Sequence, residues 1–286
     1  MGAGDSRMIV LPDGRRIECQ SYGDPEGFPV PYFHGGLSAP VDVAFADDAA
    51  REKGVRLVAP ARPGIGSSDP CRDRNVADWA GDVSAVVATL GIERFSVLGW
   101  SAGGPFALAV AAGLAPLVVH AATVGGMAPL RPPLSARQLG LVLDQVQFPL
   151  AARSRSLAAL VVRTSALAPA GVERRMLLRA LPPEDRAVVE PLTPTDVADG
   201  LRDALRHGAG GVAEDYAVLT ARWGFDLGDV RVPVTVFQGA ADTLLPMSHA
   251  EALAAQLPSG RLEVVQGAGH FLLHLHLGRV LDVLTG

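Results

Sequence analysis

The sequence predicts an α/β domain built on a mostly parallel sheet with helices on both faces. Two observations carry this. Short apolar runs alternate with helix-length segments in the first part of the chain and again near its end, and strands separated by helices of that length join in parallel. Between those parts, residues 129–223 lose every strand signal and become rich in Arg, Ala and Leu, broken by Pro132-Pro133, Pro182-Pro183 and Pro194. The reading is a core made of residues 1–128 and 224–286, with a helical insertion at 129–223 placed before the last two strands.

In chain order, residues 8–11 and 16–21 flank Pro12-Asp13-Gly14, turn residues suited to a hairpin. Residues 30–33 form a short buried strand running into His34-Gly35-Gly36. A helix over 42–53 stops at Gly54, and residues 55–59 give the next strand, leading to the loop Arg62-Pro63-Gly64-Ile65-Gly66-Ser67-Ser68. An amphipathic helix over 76–90 ends at Gly91, and residues 95–98 are a strand. Val118–Val124 follows as another strand, and after the insertion 234–238 and 262–266 are strands, each leading into a helical run.

Composition narrows the function classes. A chain of 286 residues can bury a large core as one unit. Its net charge of −5 argues against a nucleic-acid partner. Lys53 is the only lysine, a compositional bias without functional content. Cys19 and Cys71 make no disulfide framework, which predicts a reduced, cytoplasmic protein; residues 1–7 lack the apolar core of a signal peptide, and no apolar stretch is long enough for a spanning helix. No membrane partner is expected, and nothing in the sequence sets an oligomeric state.

The most informative stretch is Gly99-Trp100-Ser101-Ala102-Gly103, directly after the strand at 95–98 and directly before a run of small residues that reads as a helix. Glycines on both sides permit a sharp strand-to-helix turn with the serine hydroxyl exposed at its tip. A serine needs a base to take its proton and an acid to orient that base. His270 follows the last strand in the glycine-rich segment Gly267-Ala268-Gly269, and Asp242 follows the strand at 234–238. The order Ser101, Asp242, His270 is the one expected for a nucleophile elbow with its partners. Among the other histidines, His249 lies on the helix after Asp242 and faces solvent or packs there, and the spacing of His274 and His276 keeps them off one helical face.

On these residues the chain resembles the α/β-hydrolase superfamily, with four landmarks in order: His34-Gly35-Gly36, Arg62-Pro63-Gly64-Ile65-Gly66, the serine elbow, and the Asp242 and His270 loops. The resemblance implies an eight-stranded-type sheet and makes the insertion a cap over the site. It implies an oxyanion hole from the backbone N–H groups of Gly36 and Ala102, with the N-terminus of the helix after the elbow assisting. His34, Gly35, Leu37 and Trp100 are the candidate pocket residues, with His34 fixing the oxyanion loop and Arg62 anchoring its own loop. Serine at the elbow disfavours the epoxide and halide chemistries that use aspartate there, and Leu37-Ser38 replaces the Pro-Gly of the proline-releasing aminopeptidases. Ala61 stands where many relatives carry an aspartate. No phosphate loop, zinc motif or dinucleotide fingerprint occurs, so neither cofactor nor metal is expected. The expected activity is hydrolysis of an ester, thioester or lactone of a small, mainly apolar molecule. An acyltransferase or carbon–carbon lyase, or a non-catalytic small-molecule receptor, remains open on the same fold.

Overall fold

The computed structural model describes residues 5–286. Eight strands form one sheet: β1 (Asp5–Val10), β2 (Arg16–Gly23), β3 (Phe28–Phe33), β4 (Val55–Pro60), β5 (Phe95–Trp100), β6 (Val118–Val124), β7 (Val234–Gly239) and β8 (Gly260–Val265), in the spatial order β1-β2-β4-β3-β5-β6-β7-β8. Only β2 runs against its neighbours β1 and β4; the remaining pairs are parallel. The β1–β2 hairpin closes at Gly14, whose φ of 87° suits glycine and whose N–H donates to Leu11 O at 2.9 Å.

Two helix layers cover the sheet because its strands are apolar on both faces. On β5, Phe95 and Val97 enter one buried cluster while Leu98 and Trp100 enter the other, following the two-residue period of a strand. The first cluster takes Trp79, Val83 and Val87 from α2 (Trp79–Thr89) and Phe106 to Ala111 from α3 (Gly104–Gly113). The second takes Ala50 from α1 (Asp47–Glu52). The helix over 42–53 is thus shorter than its pattern suggests: a 3-10 segment, Pro40–Ala46, comes first, and Asp42 within it turns its carboxylate to Gly35 N–H at 3.1 Å.

Between β6 and β7 the chain forms α4 (Val142–Ala151), α5 (Arg155–Ser165), α6 (Ala170–Ala180), α7 (Pro183–Val189), α8 (Pro194–Ala204) and α9 (Gly210–Thr220). Helices α4, α5 and α9 pack on one another, with the rings of Phe148 and Tyr216 edge to face at 4.7 Å. Then α10 (Met247–Gln256) adds Ala250 and Leu253 to the first cluster, and α11 (Leu272–Thr285) lines the second with Leu273, Leu277 and Leu281. Among the described residues no helix is long and apolar enough to cross a membrane.

The strand order decides where a ligand belongs. From β3 the chain moves outward to β4, then returns to the other side of β3 for β5. The connections leave β3 and β5 in opposite directions, opening a crevice at their C-terminal ends. Phe33 pairs in register with Gly99, so His34-Gly35-Gly36 and Ser101 emerge side by side there.

Candidate active site

The elbow is as tight as its glycines allow. A methyl on Gly99 would lie 2.5 Å from Gly103 O, and one on Gly103 would lie 2.0 Å from Phe33 O, so neither position admits a side chain without moving backbone. Ser101 sits between them at φ 54°, a left-handed conformation that a serine adopts only when its surroundings hold it. Pro105 occupies the first turn of α3, where its missing N–H leaves no helical bond unmade.

Asp242 and His270, the residues expected as acid and base, are in contact. His270 Nδ1 lies 2.9 Å from Asp242 Oδ2, and the carboxylate is wholly withdrawn from solvent. Asp242 Oδ1 accepts the N–H groups of Leu244 at 2.8 Å and Leu245 at 2.9 Å, and Oδ2 also accepts Gln238 Nε2 at 3.0 Å. These bonds compensate the cost of burying the charge. They also show that Asp242 does not cap α10, which begins after Pro246. Burial opposes a charge on His270, but the carboxylates of Asp242, Asp185 and Asp144 outweigh it and hold the imidazole pKa above its usual value.

Ser101 is tied to this pair through its neighbour, since Trp100 Nε1 donates to His270 O at 3.1 Å. Among the described residues no hydrogen bond joins Ser101 Oγ to His270, and the Nε2 side of the ring carries no protein partner. A contact of this kind commonly tightens only in the substrate complex.

The His34-Gly35-Gly36 turn, the expected oxyanion loop, is held by Arg62. This fully buried guanidinium donates Nη1 to His34 O at 2.7 Å and Nη2 to Gly35 O at 2.9 Å. In a trans peptide the N–H points opposite to the C=O. With Gly35 O tied to Arg62, the Gly36 N–H therefore aims away from Arg62. A methyl on Gly36 would lie 3.5 Å from Ala102 Cβ, so the two residues expected to donate are neighbours beside the elbow.

The carboxylate that pairs with Arg62 comes from α9. Asp215 accepts Arg62 Nε at 2.8 Å and is also bonded to Arg74. Burial alone would raise the Asp215 carboxyl, but the two arginines hold it below the usual carboxylate range. The Arg62 guanidinium also lies 4.7 Å over the Phe106 ring.

His34 is placed differently from a pocket residue. It has no exposed surface, its Nδ1 lies 3.0 Å from Gly35 O, and its Nε2 accepts Arg62 N–H at 3.4 Å. Both ring nitrogens serve the turn, and burial with the nearby Arg62 charge pushes the ring pKa well down. Gly35 is buried, with its N–H held by Asp42. Leu37, at φ 54°, is half-buried and packs on the main core. Trp100 is nearly buried, its ring 5.9 Å from that of His270 and edge-on to Phe271 and His274. His249 does not face solvent: it is fully buried, its Nδ1 accepts Ala128 N–H at 3.1 Å, and burial pushes its pKa down to about 4. His274 stacks on Phe45 at 3.8 Å, and burial takes it to about 4 as well.

Four contributors escape a sequence reading. Gly125, just past β6, has φ 52°, and a methyl there would lie 3.0 Å from His270 Nδ1 and 3.3 Å from Asp242 Oδ2. The Gly125-Gly126 pair at a strand end was its visible signal. Asp144, Asp185 and Asp215 all come from the insertion, where an acidic residue on a helix reads as ordinary surface. Asp144 accepts Tyr216 Oη at 2.5 Å, and burial raises its carboxyl despite that bond and the field of His270. Gly125→Ala should leave the protein folded and reduce turnover about 10- to 100-fold, because the methyl displaces the His270–Asp242 pair. Steady-state kinetics beside a thermal melt checks this; unchanged turnover would mean that the pair tolerates the intrusion.

Comparisons with known proteins place the chain in a family. Residues 29–277 match the alpha/beta hydrolase fold family, and the chain belongs to it. A pimeloyl-[acyl-carrier protein] methyl ester esterase of Aromatoleum aromaticum is 31% identical over 242 residues, covering 82% of this chain and 89% of that protein. An uncharacterized protein of Mycobacterium tuberculosis is 26% identical over 251 residues, covering 80% of this chain, which spans 66% of that protein's length. Among solved structures, a thermophilic esterase from Thermogutta terrifontis superposes with a TM-score of 0.71 at 20% identity, over 98% of this chain and 96% of that one. At that identity the likeness is one of fold.

Proposed function

We propose that the protein is a serine hydrolase that cleaves an ester, thioester or lactone of a small, mainly apolar molecule through an acyl-enzyme. The observation that carries this reading is the buried His270–Asp242 pair at 2.9 Å, set beside a serine held at positive φ on the elbow. Ser101 Oγ attacks the carbonyl carbon while His270 Nε2 takes its proton. Asp242, on Nδ1, holds the tautomer that leaves Nε2 free to accept, and it stabilises the imidazolium that forms. The N–H groups of Gly36 and Ala102 receive the developing oxyanion, each worth about 3 kcal/mol in the barrier. The imidazolium then protonates the leaving group. Water deprotonated by His270 attacks the acyl-enzyme, and the acid departs as Ser101 recovers its proton.

An ester substrate is also in keeping with the methyl ester esterase among the relatives. The apolar character of the substrate is supported by the composition of the insertion, rich in Ala, Leu and Val with few aromatics. The test is turnover of a panel of p-nitrophenyl esters of increasing acyl length. Short apolar acyl groups should be hydrolysed, and Ser101→Ala should lower the rate by about 10⁴-fold or more while the fold is retained. Binding of such esters without turnover by the folded wild-type protein would favour a receptor instead.

A further inference from the structure

We propose that Asp185, on α7 of the insertion, is the positioning residue that holds the His270 loop in register, so that the base is set by the insertion as well as by Asp242. The inference rests on the reading of His270 as the base. His270 sits between β8 and α11 on Gly267-Ala268-Gly269, a segment with almost no side chain to fix it and with Gly267 at φ 67°. Asp242 orients the ring but does not hold the backbone that carries it. Asp185 does: one carboxylate oxygen accepts His270 N–H at 2.7 Å and the other accepts Phe271 N–H at 2.8 Å.

Three features distinguish this from an ordinary helix-start acid. Asp185 lies in the first turn of α7, where a carboxylate would normally serve its own helix, yet its oxygens reach a loop 85 residues away. It is 1% exposed, and no Lys or Arg pairs with it among the described residues. A buried carboxylate without a cation is costly unless strong donors compensate it, and these two N–H groups do so. Gly269 preserves the space it needs, since a methyl there would lie 2.2 Å from Asp185 Oδ2. The insertion therefore grips the histidine loop through α7, besides gripping the oxyanion loop through Asp215 and Arg62.

The charged and titratable groups facing His270 are Asp242 from the β7 loop, Asp185 from α7, Asp144 from α4, and His274 from α11. Each carboxylate favours the imidazolium, so removing one lowers the pKa of His270. The base form is the active one, and the acid limb of the rate profile then moves to lower pH. A purely structural role would change the folded fraction without moving that limb.

The experiment is the rate of labelling by an alkyl fluorophosphonate, per folded molecule and as a function of pH, for wild type, Ser101→Ala, Asp185→Asn and Gly269→Ala. In Asp185→Asn the amide oxygen can accept only one of the two N–H groups, and its NH2 opposes the other. The expected result is a plateau about 10- to 100-fold lower, with the acid limb displaced to lower pH. A plateau within about threefold of wild type, or an unmoved limb, overturns the proposal. If Asp185→Asn does not fold, Gly269→Ala carries the test, because it pushes the carboxylate off the loop while leaving it charged. A plateau at least about 10-fold lower supports the proposal, and any smaller loss overturns it. Failure of the parent reading looks different: folded wild-type protein would not be labelled at all, or Ser101→Ala would be labelled equally.

Discussion

Asp242→Asn should lower ester turnover by about 10⁴-fold while leaving the fold intact. The asparagine side chain has the same shape and keeps its oxygen for the N–H groups of Leu244 and Leu245. Its amide group, however, would present hydrogens toward His270 Nδ1, where Oδ2 now sits at 2.9 Å. The ring then favours the tautomer with its proton on Nε2, the nitrogen that must be free to accept from Ser101. The charge that raises the His270 pKa is lost as well. Measured kcat with an unchanged melting curve checks the prediction. A rate within about tenfold of wild type would show that His270 does not need the Asp242 carboxylate to act.

Arg62→Leu should lower stability and activity together. The substitution deletes the bonds to His34 O and Gly35 O and leaves Asp215 with Arg74 alone. Breaking one partner out of a buried ion pair costs about 3–5 kcal/mol, and the remaining arginine keeps the loss near the lower end, about 3 kcal/mol. Per folded molecule, turnover should fall about 100-fold, because the Gly35–Gly36 peptide loses the bond that aims its N–H. Urea unfolding midpoints and steady-state kinetics separate the two effects. A stability loss without a rate loss per folded molecule would show that the oxyanion loop holds its shape without Arg62.

The parts of the fold that were legible in the sequence are those set by local chemistry. Apolar runs bounded by turn residues located the strands, and Gly54 and Gly91, at φ 60° and 68°, ended the helices they were expected to end. The elbow and the loops carrying Asp242 and His270 were legible because each places a candidate residue close to glycines at a strand end. His34 and His249 were less so. A histidine's role depends on burial and on partners far away in sequence, such as Arg62 N–H and Ala128 N–H.

The contributions of the insertion were not legible for the same reason. Asp144, Asp185 and Asp215 sit on helices rich in Arg and Ala, with nothing local to separate them from surface acids. Their function comes from contacts that only the folded chain creates: Asp185 with the histidine loop, Asp215 with Arg62, Asp144 with Tyr216. The candidate residues came from local pattern, whereas those that hold them in place came from topology.

The central claim is that Ser101 is a nucleophile activated by His270. Its most direct test is to treat the folded protein with a fluorophosphonate, digest it, and locate the adduct by mass spectrometry. One phosphonyl group is expected on the peptide carrying Ser101, absent in Ser101→Ala and formed far more slowly in His270→Ala. An unlabelled wild-type protein, or an adduct on any other residue, would contradict it.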